Sequence, residues 1–209
     1  MFDTKMYSEL VFYLEACESG SMFVNLPKDI NMYATSASSP SESSWGTYCS
    51  PDDVVGGVSI GTCLGDLYSV NWMEDTDAAD ITKETLLSQY NTVKKLTDKS
   101  AVMQWGSLTF DSEVIGDFEG DLDNYTPTAK PIKQKRYIDS SVNSRDIKLH
   151  YVLNKYNKNP SLENYLEMKM ELNSRDYFDS KFQQLALAFG ANADEIEDAL
   201  NVIPKIQDW

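Results

Sequence analysis

The stretch Leu10-Val11-Phe12-Tyr13-Leu14 is an unbroken apolar run that ends in Glu15-Ala16-Cys17-Glu18-Ser19-Gly20-Ser21. A short continuous run of this kind is the pattern of a central parallel strand covered on both faces, since neither face can then afford polar side chains. Parallel pairing needs a layered α/β arrangement and a crossover of about a dozen residues. Residues 30–35, Ile-Asn-Met-Tyr-Ala-Thr, lie far enough along the chain to supply the partner strand. A helix is predicted over residues 82–96, with Leu86, Tyr90, Val93 and Leu96 on one face. Residues 101–105, Ala-Val-Met-Gln-Trp, read as another strand, so residues 1–110 form an α/β unit.

The remainder divides by composition. Residues 111–143 turn to Asp, Gly, Pro, Ser and Lys and predict an exposed linker, within which Asn124-Tyr125-Thr126 fits a glycosylation acceptor. Residues 144–209 are helical in pattern and predict a small all-α module. One segment covers residues 146–156; Ser161 opens a second with Leu162, Tyr165, Leu166 and Leu172; Ser174 opens a third with Phe178, Phe182, Leu185 and Phe189 before Gly190. Asn192 and Glu195 have the spacing of a capping box for a fourth.

Composition narrows the partners. The 209 residues are 42% hydrophobic, enough for one filled core and a smaller second unit. A run of about eighteen apolar residues would be needed to cross a membrane, and the sequence has none, so no membrane partner is expected. Met1-Phe2-Asp3-Thr4-Lys5 lacks the apolar region of a secretory signal, so any such address lies outside these residues. A formal charge of -15 provides no basic stripe for phosphates, which argues against nucleic acid. That charge repels itself at neutral pH and relaxes as carboxylates protonate, so an acidic compartment suits the chain.

In open α/β sheets reactive groups sit beyond the carboxyl ends of the strands, where the chain turns and backbone N–H groups are free. Cys17 occupies such a position, and Ser19-Gly20-Ser21 permits a tight turn that would present the sulfur to solvent. The plainer alternative is a buried structural cysteine. Against it stands the order of strand, Ala-Cys and small-residue turn, which is also how caspases present their catalytic cysteine.

Phe12-Tyr13-Leu14-Glu15-Ala16-Cys17-Glu18-Ser19-Gly20-Ser21-Met22 resembles the nucleophile motif of the legumains, asparaginyl endopeptidases also called vacuolar processing enzymes. The likeness continues through Glu42-Ser43-Ser44-Trp45-Gly46-Thr47-Tyr48-Cys49, through Cys63-Leu64-Gly65-Asp66-Leu67-Tyr68-Ser69-Val70-Asn71-Trp72-Met73-Glu74-Asp75 and through Val102-Met103-Gln104. Val142-Asn143-Ser144-Arg145-Asp146 resembles the start of the family's C-terminal prodomain.

The resemblance implies a caspase-like three-layer α/β sheet followed by a small all-α prodomain, and cleavage of peptides and proteins after Asn, or after Asp at lower pH. Cys17 would be the nucleophile and its N–H half of the oxyanion hole; Glu15, Ser43, Ser44 and Asp66 would line the pocket for the residue before the scissile bond. The alternatives are a salt-bridged strand-end carboxylate at Glu15 and a helix start at Asp66. No cofactor or metal is implied. Cys49 and Cys63 paired would close a short loop worth about 3 kcal/mol and leave Cys17 free, as suits an oxidising vacuolar, lysosomal or secreted setting; three reduced thiols are the alternative.

The chain's own prodomain would act as inhibitor, with a helix over residues 147–159 lying across the cleft until acid releases it. Asn143, Asn154, Asn157 and Asn159 would be points of self-cleavage. The chain also departs from the family pattern. The catalytic His, the Gly after it and the pocket Arg belong on earlier strands and are absent, and the single histidine, His150, falls in the helical module and is not assigned as the base. The sequence is therefore expected to be a fragment of a longer peptidase, or a truncated inactive homologue acting as a peptide-binding or regulatory protein.

Overall fold

The computed structural model describes residues 1–120, 140–192 and 194–196, and the chain divides into two compact units, Met1–Ser144 and Arg145–Trp209. Asn124 lies outside the described residues.

The first unit is built on two small sheets. Strand β1 (Leu10–Leu14) pairs in parallel with β2 (Met32–Ser36), in register from Leu10 opposite Met32 to Leu14 opposite Ser36. A second sheet centres on β3 (Trp45–Thr47), and a hairpin of β4 (Val54–Val55) and β5 (Val58–Ser59) follows it. β6 (Gly65–Asp66) lies antiparallel on one side of β3 and leads into helix α1 (Leu67–Ala78). Helix α2 (Leu86–Leu96) starts at Thr85, whose side-chain oxygen accepts the Ser88 N–H. β7 (Met103–Gly106) runs antiparallel to β2, and the short α3 (Gly116–Glu119) comes next. β8 (Val142–Asn143) closes the other side of β3.

In the described sheet, which runs β1-β2-β7, β2 lies in the middle and β1 has β2 as its partner among the described residues. Alternation along β1 directs Val11 and Tyr13 to one face, where Tyr13 packs with Ala37, Tyr68, Trp72, Tyr90, Val93 and Val102, and Val11 joins a cluster of Tyr33, Ile81, Leu86, Phe110 and Ile115. The opposite face is covered more thinly. Phe12 meets Phe23 with centroids 6.1 Å apart, Phe23 meets Trp105 at 6.3 Å, and Phe12 stays 43% exposed. Among the described residues the face with Val11 and Tyr13 is the better covered of the two. Of the stretch expected as linker, Ile115 is fully buried and Val142–Asn143 form a strand.

In α2 the buried residues are Leu86, Gln89 and Val93. Gln89 is the surprise. It accepts the Tyr13 hydroxyl proton at 2.6 Å and donates to Thr76 Oγ1, which in turn donates to Glu119, so a polar chain ties β1, α2, α1 and α3 together.

The second unit contains α4 (Ile147–Lys158) and α5 (Leu162–Ala188). The expected helix start at Ser174 is overturned: α5 runs unbroken for 27 residues from its cap at Ser161. No Gly or Pro interrupts it, and Arg175 is anchored: its Nη1 donates to the fully buried Asp146 at 2.6 Å and its Nε to Glu171 at 3.2 Å. Lys148 meets the same Glu171 at 2.6 Å. Phe178, Phe182 and Leu185 on α5 and Phe189 at its C-cap are exposed. Beyond it, Asn192 N donates to Glu195 and Glu195 N to Asn192 Oδ1, both at 2.9 Å, the reciprocal bonds of a capping box. Removing Arg175 leaves a buried carboxylate without its cation, so Arg175→Ala is expected to destabilise this unit by about 3 kcal/mol, and adding Asp146→Asn to recover part of the loss, as read from urea unfolding followed by helical circular dichroism.

Candidate active site

Two carboxyl-end turns leave the first sheet side by side, because β1 and β2 are parallel. The turn after β1 carries Glu15, Cys17 and Glu18; the loop after β2 carries Ser38, Glu42, Ser43 and Ser44. Glu18 has a left-handed backbone, φ 50°, which swings the chain into the short 3-10 turn Ser19–Met22 and leaves Cys17 at the bend. Cys17 is a half-buried free thiol. Its Sγ lies 3.6 Å from Ser44 Oγ, within hydrogen-bonding reach for sulfur.

The same loop grips the turn through its backbone. Glu18 N–H donates to the Glu42 carbonyl at 2.7 Å, and the Glu42 carboxylate is itself held by the N–H groups of Ser39 and Ala101. Ser38 Oγ donates to the Ala16 carbonyl and accepts the Ser19 N–H, each at 3.1 Å. None of these supports was anticipated from the sequence. The available signal was the concentration of small hydroxyl residues from Ser36 to Ser44, which is what a loop needs to satisfy buried backbone groups.

Glu15 continues β1 into the interior. One carboxylate oxygen, Oε2, accepts the Ser69 N–H of α1 at 2.8 Å; the other, Oε1, is buried with no hydrogen-bond partner. Burial pushes its pKa up to about 7, and the negative charge of Asp66 adds to the rise while the Ser69 N–H opposes it. Asp66 stands in β6 opposite Gly46 of β3, and burial raises its pKa as well. It also occupies the N-cap position of α1, yet its side chain makes no capping bond. Ser43 and Ser44 are buried between these two carboxylates' elements in sequence and lead directly into β3.

On the other edge of β3, Asn143 pairs with Trp45 and Val142 with Gly46. Ser144 follows at once, its N–H donating to the Ser44 carbonyl and its Oγ 3.0 Å from Ser44 Oγ. Hydroxyls thus link the Cys17 sulfur to the residue after Asn143. The structure brings Cys17, Ser44 and the Asn143–Ser144 segment together within the first unit and sets Glu15 within electrostatic reach of Asp66. Asn154 and Asn157 lie on α4 and Asn159 caps its end, in the second unit, as does His150, whose ring meets the Asn154 side chain at 3.0 Å. Cys49 and Cys63 are disulfide-bonded, which closes the alternative of three reduced thiols. Among the described residues no cluster of His, Cys, Asp and Glu suits a metal ion.

The arrangement is a half-buried thiol at the carboxyl end of a strand, in contact with a serine-rich loop. Comparison with known proteins agrees in family. Residues 1–121 match the model of the peptidase C13 family. Legumain of Homo sapiens is 37% identical over 205 residues, covering 96% of this chain and 45% of that protein; legumain of Mus musculus is 51% identical over 120 residues, covering 57% and 26%. The vacuolar-processing enzyme of Ricinus communis is 37% identical over 205 residues, covering 88% and 40%. The chain therefore spans less than half the length of these relatives. With a family model matched along more than half its length, and relatives 37% identical across most of it, the chain belongs to the peptidase C13 family.

Proposed function

We propose that this chain carries the nucleophile and much of the specificity pocket of a cysteine endopeptidase that cleaves after Asn, and after Asp at lower pH. The observation that carries this reading is the half-buried Cys17 thiol two residues past Glu15, whose free Oε1 and neighbour Asp66 offer acceptors for an amide N–H2. An Asn carboxamide donates through nitrogen and accepts through oxygen, so ionised acceptors favour it over apolar side chains. Protonated Glu15 becomes a donor, which suits the carboxylate of an Asp substrate. Proteins and peptides are the substrates that follow, and an oxidising, acidic lumen of the vacuolar or lysosomal kind is the compartment in which the Cys49–Cys63 bridge and the raised carboxylates are at ease.

Self-cleavage after Asn143 is the preferred assignment among the four candidate points. It is supported by the pairing of Asn143 with β3 and by the hydroxyl link from Ser144 to Cys17, whereas cleavage after Asn154 or Asn157 requires unwinding α4. The helical unit that follows is assigned as the inhibitory module.

Cys17 is tested with a peptidyl chloromethyl ketone bearing Asn. Alkylation is expected at Cys17 by peptide mass mapping, at least about tenfold faster than with a Phe analogue, and lost in Cys17→Ala. Equal rates for the two probes, or alkylation elsewhere, would overturn the assignment. Glu15 is tested by pH. Its folded pKa of about 7 lies above the reference 4.5, so the folded state holds the extra proton, and stability declines as pH rises through that window. Asp75, also raised to about 7 by burial with help from Glu84 and Glu119, acts in the same direction. The urea midpoint is therefore expected to fall between pH 4.5 and 7, and Glu15→Gln to flatten part of that fall.

A further inference from the structure

Resting on the reading of Cys17 as nucleophile, we propose that Ser38 is a positioning residue for it: the Ser38 hydroxyl staples together the peptide groups on either side of Cys17 and so fixes the direction of the sulfur. Ser38 is fully buried. Its Oγ donates to the carbonyl of Ala16, immediately before Cys17, and accepts the N–H of Ser19, two residues after it. The span between those groups is the bend that carries the thiol.

The staple is reinforced. Ser38 N–H donates to Ser19 Oγ at 3.0 Å, the two hydroxyls lie 3.1 Å apart, and Gly20 N–H donates to the Ser38 carbonyl at 3.1 Å. Ser36 Oγ donates to that same carbonyl at 3.0 Å. The turn also presses close to the loop: a side chain at position 20 would place its Cβ 2.9 Å from Pro40 and from the Ser39 backbone. Glu42 holds the Glu18 N–H, and Ser44 reaches the sulfur itself.

The loop after β2 therefore touches the nucleophile segment at residues 16, 17, 18, 19 and 20. A hydroxyl both donates and accepts, so one small side chain can join a carbonyl to an N–H across a bend, and Ala offers neither function. A left-handed residue such as Glu18 is held in place only where the surroundings determine it, and Ser38 is the centre of those surroundings. The effect on chemistry runs through geometry, because nucleophilic attack is sensitive to displacements of about 1 Å.

The test uses the full chain and the Asn chloromethyl ketone at pH about 9, where hydroxide can take the thiol proton. The thiolate sulfur forms a bond to the probe's methylene carbon as the carbon–chlorine bond breaks and chloride leaves. Ser38→Ala is expected to lower the maximal alkylation rate about tenfold while the half-saturating probe concentration stays within about twofold, since the acidic pocket is untouched. Ser38→Thr, which keeps the hydroxyl, is expected to restore the rate to within about threefold of the parent. An Ala variant as fast as the parent, a Thr variant as slow as the Ala variant, or an Ala variant that loses its near-ultraviolet circular dichroism would each overturn the proposal. Failure of the underlying reading looks different: the unmutated chain would then show no preference for Asn over Phe, or no label on Cys17.

Discussion

The parallel pairing of β1 with β2 is the constraint from which the site follows. Two parallel neighbours deliver their carboxyl ends to the same edge, so the turn bearing Cys17 and the loop bearing Ser38, Glu42 and Ser44 emerge next to each other. An antiparallel pair would have sent them to opposite ends. Once adjacent, the loop can satisfy the backbone groups that a sharp turn strands, and the turn can in exchange hold a residue in a left-handed conformation. The second sheet adds Asp66: β3 continues from Ser44, and β6 lays Asp66 opposite Gly46.

Charge is handled differently in the two units. Near the strand ends, Glu15 is half-buried and leans on one backbone N–H, and Asp66 is half-buried and makes no capping bond to its helix. Such groups resist ionisation, and their burial weakens the fold at neutral pH. In the helical unit the opposite choice is made. Asp146 and Glu171 are matched by Arg175 and Lys148, so ionic contacts join α4 and the residue at its start to the long α5, beside the Tyr156–Tyr165 ring contact.

Much of this was legible in the residues. The strand at Leu10–Leu14, the helix around Leu86 and Val93, and the capping box at Asn192 and Glu195 follow from spacing alone, and the likeness to legumains pointed to Cys17. Three matters were not legible. An apolar run does not disclose how many neighbours a strand has or that Phe12 stays partly open. The serine at 174 has the look of a cap, but nothing in local sequence announces that Arg175 beside it is anchored to Asp146, 29 positions earlier. The supports at Ser38 and Glu42 are bonds between side chains and distant backbone, and their partners are set by the fold, not by sequence neighbours.

The disulfide gives the β3–β6 ladder a dependence on its chemical surroundings. Cys49 lies two residues past β3 and Cys63 two residues before β6, so the bridge clamps the open end of the two-strand ladder that presents Asp66. That ladder is only a pair of residues long and has little cohesion of its own. In a thiol-rich cytosol the clamp would open and the strand that carries Asp66 would loosen, while the β1–β2 pairing, which holds no cysteine of the bridge, kept its register.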